Sequence, residues 1–220
     1  MISLNNINIK NIEILELFSS KGLNKIETDG VLNSYEIGQA ISSKAIISNS
    51  IQIIIEGEAR LLCIDGENFF TAEKLKRGDV IGLASILNAK GSEEVNASSK
   101  LIAISLPDHL VVELYRLEEN FKKWCDTKFF PSEALGFTEL ILQKTPKLEL
   151  NPKEIFSKIY NNGSIVIRHD KELIKISEVD YILISGANSQ NLNSNEQLIS
   201  NTNVEVNGQF PTRFITLSKF

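Results

Sequence analysis

Cysteine and histidine are nearly missing from this chain, whose 220 residues hold two of each. Cys63 and Cys125 have no CxxC or Cys/His neighbour, which excludes a disulfide scaffold and a thiolate metal site. They read as buried or half-buried thiols of a reducing cytoplasm. His109 and His169 give a His-based metal site almost no ligands. Proline (5) and glycine (12) are too sparse for a collagen-like or low-complexity chain. No run approaches the roughly 18 apolar residues of a membrane span; segments 50–55 and 101–106 are strand-sized. The opening MISLNNINIKNIEILELF has one Lys, two Glu and no apolar block, so it is not a secretory signal. Basic residues are also in deficit, 23 against 28 acidic, for a net charge of −5 and a pI near 5.2. Affinity for nucleic acid rests on Lys and Arg releasing counterions, so a polyanion is a poor partner. The densest basic cluster, Lys74, Lys76 and Arg77, sits beside Asp79.

What remains is ordinary for a soluble globular protein: 42% hydrophobic and 23% charged residues, enough for one large domain or two small ones. Apolar spacing over residues 7–23 predicts a short amphipathic helix ending near Gly22. Short runs at 31–35, 40–41, 45–47, 51–55, 59–64, 69–72, 80–81 and 101–105 alternate with Gly, Asn, Asp or Ser, the pattern of a sandwich, barrel or jelly roll. Asp65-Gly66 lies between two such runs and is the strongest hairpin signal in the chain. Gly38, Gly57, Gly66 and Gly78 are expected at turns. After Pro107 the period changes. One helix is predicted from an Asp108 cap to about Lys123, a second over 132–144, and a third over 152–160 behind an Asn151 cap. Strands are predicted at 164–168, 173–176, 181–185 and 214–217. Between the last two, 186–208 reads as a long Asn-rich surface loop.

Four glycine motifs come in order over about 85 residues: Tyr35-Glu36-Ile37-Gly38, then Ile51 to Ala59 through Gly57, then Asp65-Gly66, then Arg77-Gly78-Asp79-Val80-Ile81-Gly82. With the apolar strands between them, the stretch 32–114 resembles the cyclic-nucleotide-binding domain family. A cupin or another jelly roll shares these turns, but a metal-binding cupin needs clustered His. The resemblance implies an α+β fold. An N-terminal β jelly roll with flanking helices would span 1–126, followed by a small helical and β region over 132–220 that leads to a missing downstream domain. In binding members of that family a Glu after the last Gly holds the ribose hydroxyl. An Arg about ten residues later pairs with the cyclic phosphate, helped by amides at a helix N-terminus. The corresponding positions here are Gly82, Leu83, Ala84, Ser85, Asn96, Ala97 and Ser98. Leu83 replaces the Glu; Val95 or Asn96 replaces the Arg, with Glu93 and Glu94 beside it. Lys90 and Lys100 do not hold the family position. The pocket is therefore expected to be degenerate, with no cofactor and with cyclic AMP and GMP disfavoured, unless Arg60 or Arg213 reaches it from elsewhere.

Other polar features read as structural. Glu56 and Glu58 are expected as exposed strand carboxylates, Glu93-Glu94 as a solvated loop, and His169-Asp170 as a turn. Trp124 with Cys125 is expected as a helix-end packing pair. No basic helix-turn-helix follows the jelly roll. Instead Tyr181 to Gly186 and Pro211 to Leu217 resemble a segment of bacterial secretion ABC transporters, which carry a cyclic-nucleotide-binding-like domain at the N-terminus. No Walker A pattern occurs, so ATP hydrolysis is not expected of this piece. The reading is a non-catalytic, cytoplasmic regulatory or docking domain, the soluble N-terminal part of an exporter. Its implied partners are downstream transporter domains, the transported peptide or a second copy of the chain, with the membrane reached only through the downstream region. The alternatives are a genuine cyclic-nucleotide or small-anion sensor, and an enzyme using the Asn-rich segment as a lid.

Overall fold

The computed structural model describes residues 12–65, 68–144, 151–174, 180–185 and 202–218. Two helices open it, α1 (Glu13–Glu16) and α2 (Ser20–Asp29). Gly22 does not end a helix, as its sequence position suggests; it lies in the first turn of α2. A Cβ there would sit 2.5 Å from Glu118 Oε1. That carboxylate accepts from the Ser19 N–H and hydroxyl at 3.0 and 2.7 Å, while Ser19 caps the helix by accepting from Gly22 N. The glycine is there for close approach.

Eight strands follow: β1 (Val31–Tyr35), β2 (Ala40–Ser42), β3 (Ser50–Glu56), β4 (Ala59–Asp65), β5 (Asn68–Leu75), β6 (Val80–Ile81), β7 (Glu94–Ala97) and β8 (Leu101–Pro107). They form two antiparallel four-stranded sheets ordered β1-β8-β3-β6 and β2-β7-β4-β5. That interleaving, with first beside last and second beside seventh, is the double Greek key of a jelly roll. The predicted hairpin is present, since Asp65 pairs with Asn68; Gly66 itself lies outside the described residues. The run 45–47 is not a strand but begins within a turn, and β7 makes up the eight instead. Its sequence signal is weak because Glu-Val-Asn-Ala is a four-residue run holding two strand-disfavouring residues, Glu94 and Asn96; it buries Val95 and Ala97. Gly57 joins β3 to β4 at φ +86°, with the Lys100 carbonyl 2.2 Å from where a Cβ would be.

Between β6 and β7 sits a short helix, α3 (Leu83–Leu87). Beyond β8 the single predicted helix is two, α4 (Asp108–Leu117) and α5 (Glu119–Thr127). Glu118 is extended between them (φ −109°, ψ 98°), and its side chain is the one that reaches Ser19. Asp108 is the first residue of α4, and Pro107 takes the cap position. Trp124 stacks on Phe121 and meets Phe130 edge-on, while Cys125 is buried beside them, as expected of a packing pair.

Helices α6 (Pro131–Lys144) and α7 (Pro152–Asn162) come next, α7 behind its Asn151 cap. The remaining strands are β9 (Ser164–Arg168), β10 (Leu173–Ile174), β11 (Asp180–Ile184), β12 (Thr202–Asn203) and β13 (Thr212–Ser218), paired as β11-β13-β9 and β10-β12. Most of the Asn-rich stretch, 186–201, lies outside the described residues. Its end is anchored: Val204 packs with Ile184 and Phe214, and Phe210 meets Tyr115 edge-on at 4.8 Å. One apolar cluster takes side chains from β4, β7, α6, α7 and β13. Among the described residues no helix is long and apolar enough to cross a membrane.

Candidate functional site

Gly82 opens α3 in the left-handed region (φ 91°, ψ −18°). A Cβ there would press on the Ser50 carbonyl at 2.7 Å, so the turn from β6 requires glycine. Leu83, Ala84 and Ser85 are all buried and face the core; the Ser85 hydroxyl is used to accept from Ser48 N at 3.0 Å. Asn96 and Ala97 lie on β7, with Ser98 just past it. Ala97 bonds the Gly38 turn through its carbonyl, and Ser98 N donates to Glu58 O.

These positions do not converge. Gly82 borders a cleft of about 220 Å³ with Ser42, Ser48 and Gln52. Asn96, Ala97 and Ser98 border another, of about 240 Å³, with Gly38, Arg60 and Phe69. Asn96 Oδ1 is buried there without a hydrogen-bond partner among the described residues.

The side chain that does reach the start of α3 is Glu93. Its carboxylate accepts a hydrogen bond from Gly82 N, and only 5% of the residue is exposed. Burial pushes its pKa up to about 7, although the Gly82 amide and the Ser132 hydroxyl pull the other way. The expectation of a solvated Glu93-Glu94 loop is thus overturned: Glu94 in turn accepts from Ser43 Oγ and Lys44 N. Val95, expected near the clamp position, is buried in the core with Ala59 and Leu61. A carboxylate of the chain itself therefore holds the backbone amide that a helix start offers to an anion.

Arginine does not come to the rescue. Arg213 is 2% exposed and spends its guanidinium elsewhere. It grips Glu133 through Nε and Nη2 (2.6 and 3.0 Å) and donates to the Cys125 and Lys128 carbonyls, both at 2.6 Å. Burial alone would raise the Glu133 pKa and lower that of Arg213. The opposite charge and the paired hydrogen bonds reverse both shifts, and further donors add to the effect at Glu133. Those donors are the Phe130 N–H and Asn88 Nδ2. Asn88 is the C-cap of α3 and also accepts from the Ser185 hydroxyl. One buried network thus ties the end of α3 to α6, β11 and β13. Arg60 is exposed on β4 and lines the cleft with Asn96, away from Gly82.

The inner faces of β4 and β7 are covered as well. Leu61, Cys63 and Val95 share one buried cluster with Leu135, Phe156 and Ile159 of α6 and α7. Sequence reasoning missed Glu93, Asn88 and Glu133 as a group because their partners lie 11 to 80 positions away. One signal was available: Arg213 directly precedes the apolar pair Phe214-Ile215 in its strand, and a cation carried inward with them needs a buried counter-charge.

No family model matches the chain, and no curated protein matches it. Among solved structures it is similar to the regulatory domain of Toxoplasma gondii PKA with cAMP. That alignment is 10% identical, covers 93% of this chain and 84% of that one, and has a TM-score of 0.46. It is also similar to the Thermus thermophilus catabolite activator protein, at 14% identity, 66% and 83% coverage and a TM-score of 0.44. A third is the sensor domain of the transcriptional regulator DNR from Pseudomonas aeruginosa, at 9%, 62% and 88%, with a TM-score of 0.46. The strand order of the two four-stranded sheets, not these scores, carries the jelly-roll assignment.

Proposed function

We propose that the chain is a non-catalytic regulatory or docking domain of the cyclic-nucleotide-binding type whose nucleotide pocket is silent. The observation that carries this reading is Glu93 on the Gly82 amide. A cyclic phosphate arriving there finds the amide already taken, and where Glu93 is ionised, above about pH 7, its carboxylate at ~6 Å and an effective dielectric near 20 repels it by about 3 kcal/mol. The missing Arg forfeits roughly 1.5–3 kcal/mol per charge-assisted hydrogen bond in addition. The apolar cluster of β4, β7, α6 and α7 supports the same reading, because it covers the strand faces that bound the interior of the roll.

Calorimetry with cyclic AMP and cyclic GMP at millimolar concentration tests the proposal. No saturable heat is expected; a saturable isotherm with either nucleotide overturns it and makes the chain a genuine sensor. The exporter setting is the finer part of the proposal and is supported by the sequence pattern of residues 181–186 and 211–217. Reading the coding sequence beyond Phe220 tests it. Apolar spans with a Walker A motif support the exporter, and a helix-turn-helix refutes it.

A further inference from the structure

A third cavity, of about 230 Å³, lies where the loop after α3 meets α6. It is lined by Lys44, Lys90 and Ser92 on the jelly-roll side and by Ser132, Gly136 and Glu139 on the other. Its volume falls below the ~300–1,000 Å³ of pockets for drug-sized ligands, so it suits a small ion better than a nucleotide. Lys44 already has a partner, the Glu139 carboxylate. Lys90 is half-buried and makes no ion pair among the described residues; burial and the nearby Lys44 charge lower its pKa. Ser92 has a buried hydroxyl with no hydrogen-bond partner among the described residues. Glu133 also lines the cavity, but Arg213 neutralises it. The half-buried Lys90 ammonium, with Glu139 as the carboxylate that acts on it, and the buried Ser92 hydroxyl thus line one cavity without a hydrogen-bond partner among the described residues, and a buried hydroxyl is rarely left so. Gly136 leaves the α6 wall open, with no atom within 4 Å of where a Cβ would be.

We propose that this seam cavity binds a small oxyanion of the phosphate type, held by the Lys90 ammonium and the Ser92 hydroxyl with Lys44 beside them. The oxyanion accepts from both groups and joins the jelly roll to α6. The site is separate from the Gly82 amide, so it can bind while the nucleotide pocket stays silent.

The test uses the whole chain at pH 7, with inorganic phosphate titrated calorimetrically against chloride at constant ionic strength. Saturable phosphate binding with a matching rise in urea midpoint is expected. Lys90→Met should weaken it roughly ten- to hundredfold, the loss of one charge-assisted hydrogen bond. Gly136→Met, which fills the opening from α6, should weaken it likewise. Lys100→Gln, an exposed lysine away from the cavity, should leave it unchanged. Heat that does not saturate, or affinity that survives both Lys90→Met and Gly136→Met, overturns the proposal. Cyclic AMP run in parallel separates this outcome from the fate of the nucleotide pocket.

Discussion

Replacing Glu93 by glutamine isolates what its buried carboxyl does to the fold. In the folded protein its pKa is raised from 4.5 to about 7 by burial. Below the lower value both states are protonated and the group is neutral in its effect. Between the two values the native state holds a proton that the unfolded chain has released, so stability falls as pH rises, and the fall is complete above about 7. At about 1.4 kcal/mol per pH unit, the interval from 4.5 to about 7 comes to about 3 kcal/mol. Glu93→Gln keeps an acceptor for the Gly82 amide and removes the titration. The variant should match the wild type near pH 4.5 and exceed it by up to about 3 kcal/mol at pH 8. Urea unfolding followed by the fluorescence of the single tryptophan, Trp124, reads this at each pH. Taking the difference between the two proteins cancels every other titrating group. If both lose stability in parallel between pH 5 and 8, Glu93 is not the buried acid the structure shows, and the occupied-amide reading falls with it.

Arg213→Met leaves Glu133 buried without its cation and should cost about 3–5 kcal/mol in urea unfolding. The double variant Glu133→Leu/Arg213→Met should recover part of that, not all, because the Cys125 and Lys128 carbonyls stay unpaired. Gly57→Ala should destabilise by more than about 1 kcal/mol, since φ is +86° and a carbonyl blocks the Cβ. Gly136→Ala, within α6 and facing open space, should instead raise the melting temperature through a helix-propensity gain of about 1 kcal/mol. Both cysteines are buried, and burial pushes the Cys125 thiol pKa up. Native protein should therefore react with a thiol reagent only as fast as it unfolds, and denatured protein at once.

The barrel was legible because its signals are local. Strand periodicity located β1, β3 and β4 almost to the residue, and an Asp-Gly pair marked the β4–β5 hairpin. The Asn151 cap with Pro152 marked the start of α7. The misreadings at Gly22 and Glu118 share one cause. Glycine and a helix-favouring Glu each have a default local meaning, and a contact across about a hundred positions, Glu118 with Ser19, overrode both. Of the candidate site, Leu83 and the lack of any basic residue over 91–99 were legible as departures from the pattern that the stretch resembles. That Glu93 would turn inward onto Gly82 depends on how α6 brings Ser132 over it, and no spacing rule encodes that. The same holds for the cavity that Lys90 and Ser92 line, which exists only because α6 supplies its facing wall.

β13 is the middle strand of its sheet, flanked by β11 and β9, and it also delivers the counter-charge for a carboxylate already locked into α6. On the ribosome, the barrel and α6 emerge well before Arg213. Until that arginine arrives, Glu133 cannot be sealed without a large desolvation penalty, so α6 has no reason to settle over β4 and β7. The seating of α6 against the barrel therefore depends on a residue 80 positions further along the chain, and a chain cut before β13 should hold α6 less firmly than the whole protein does.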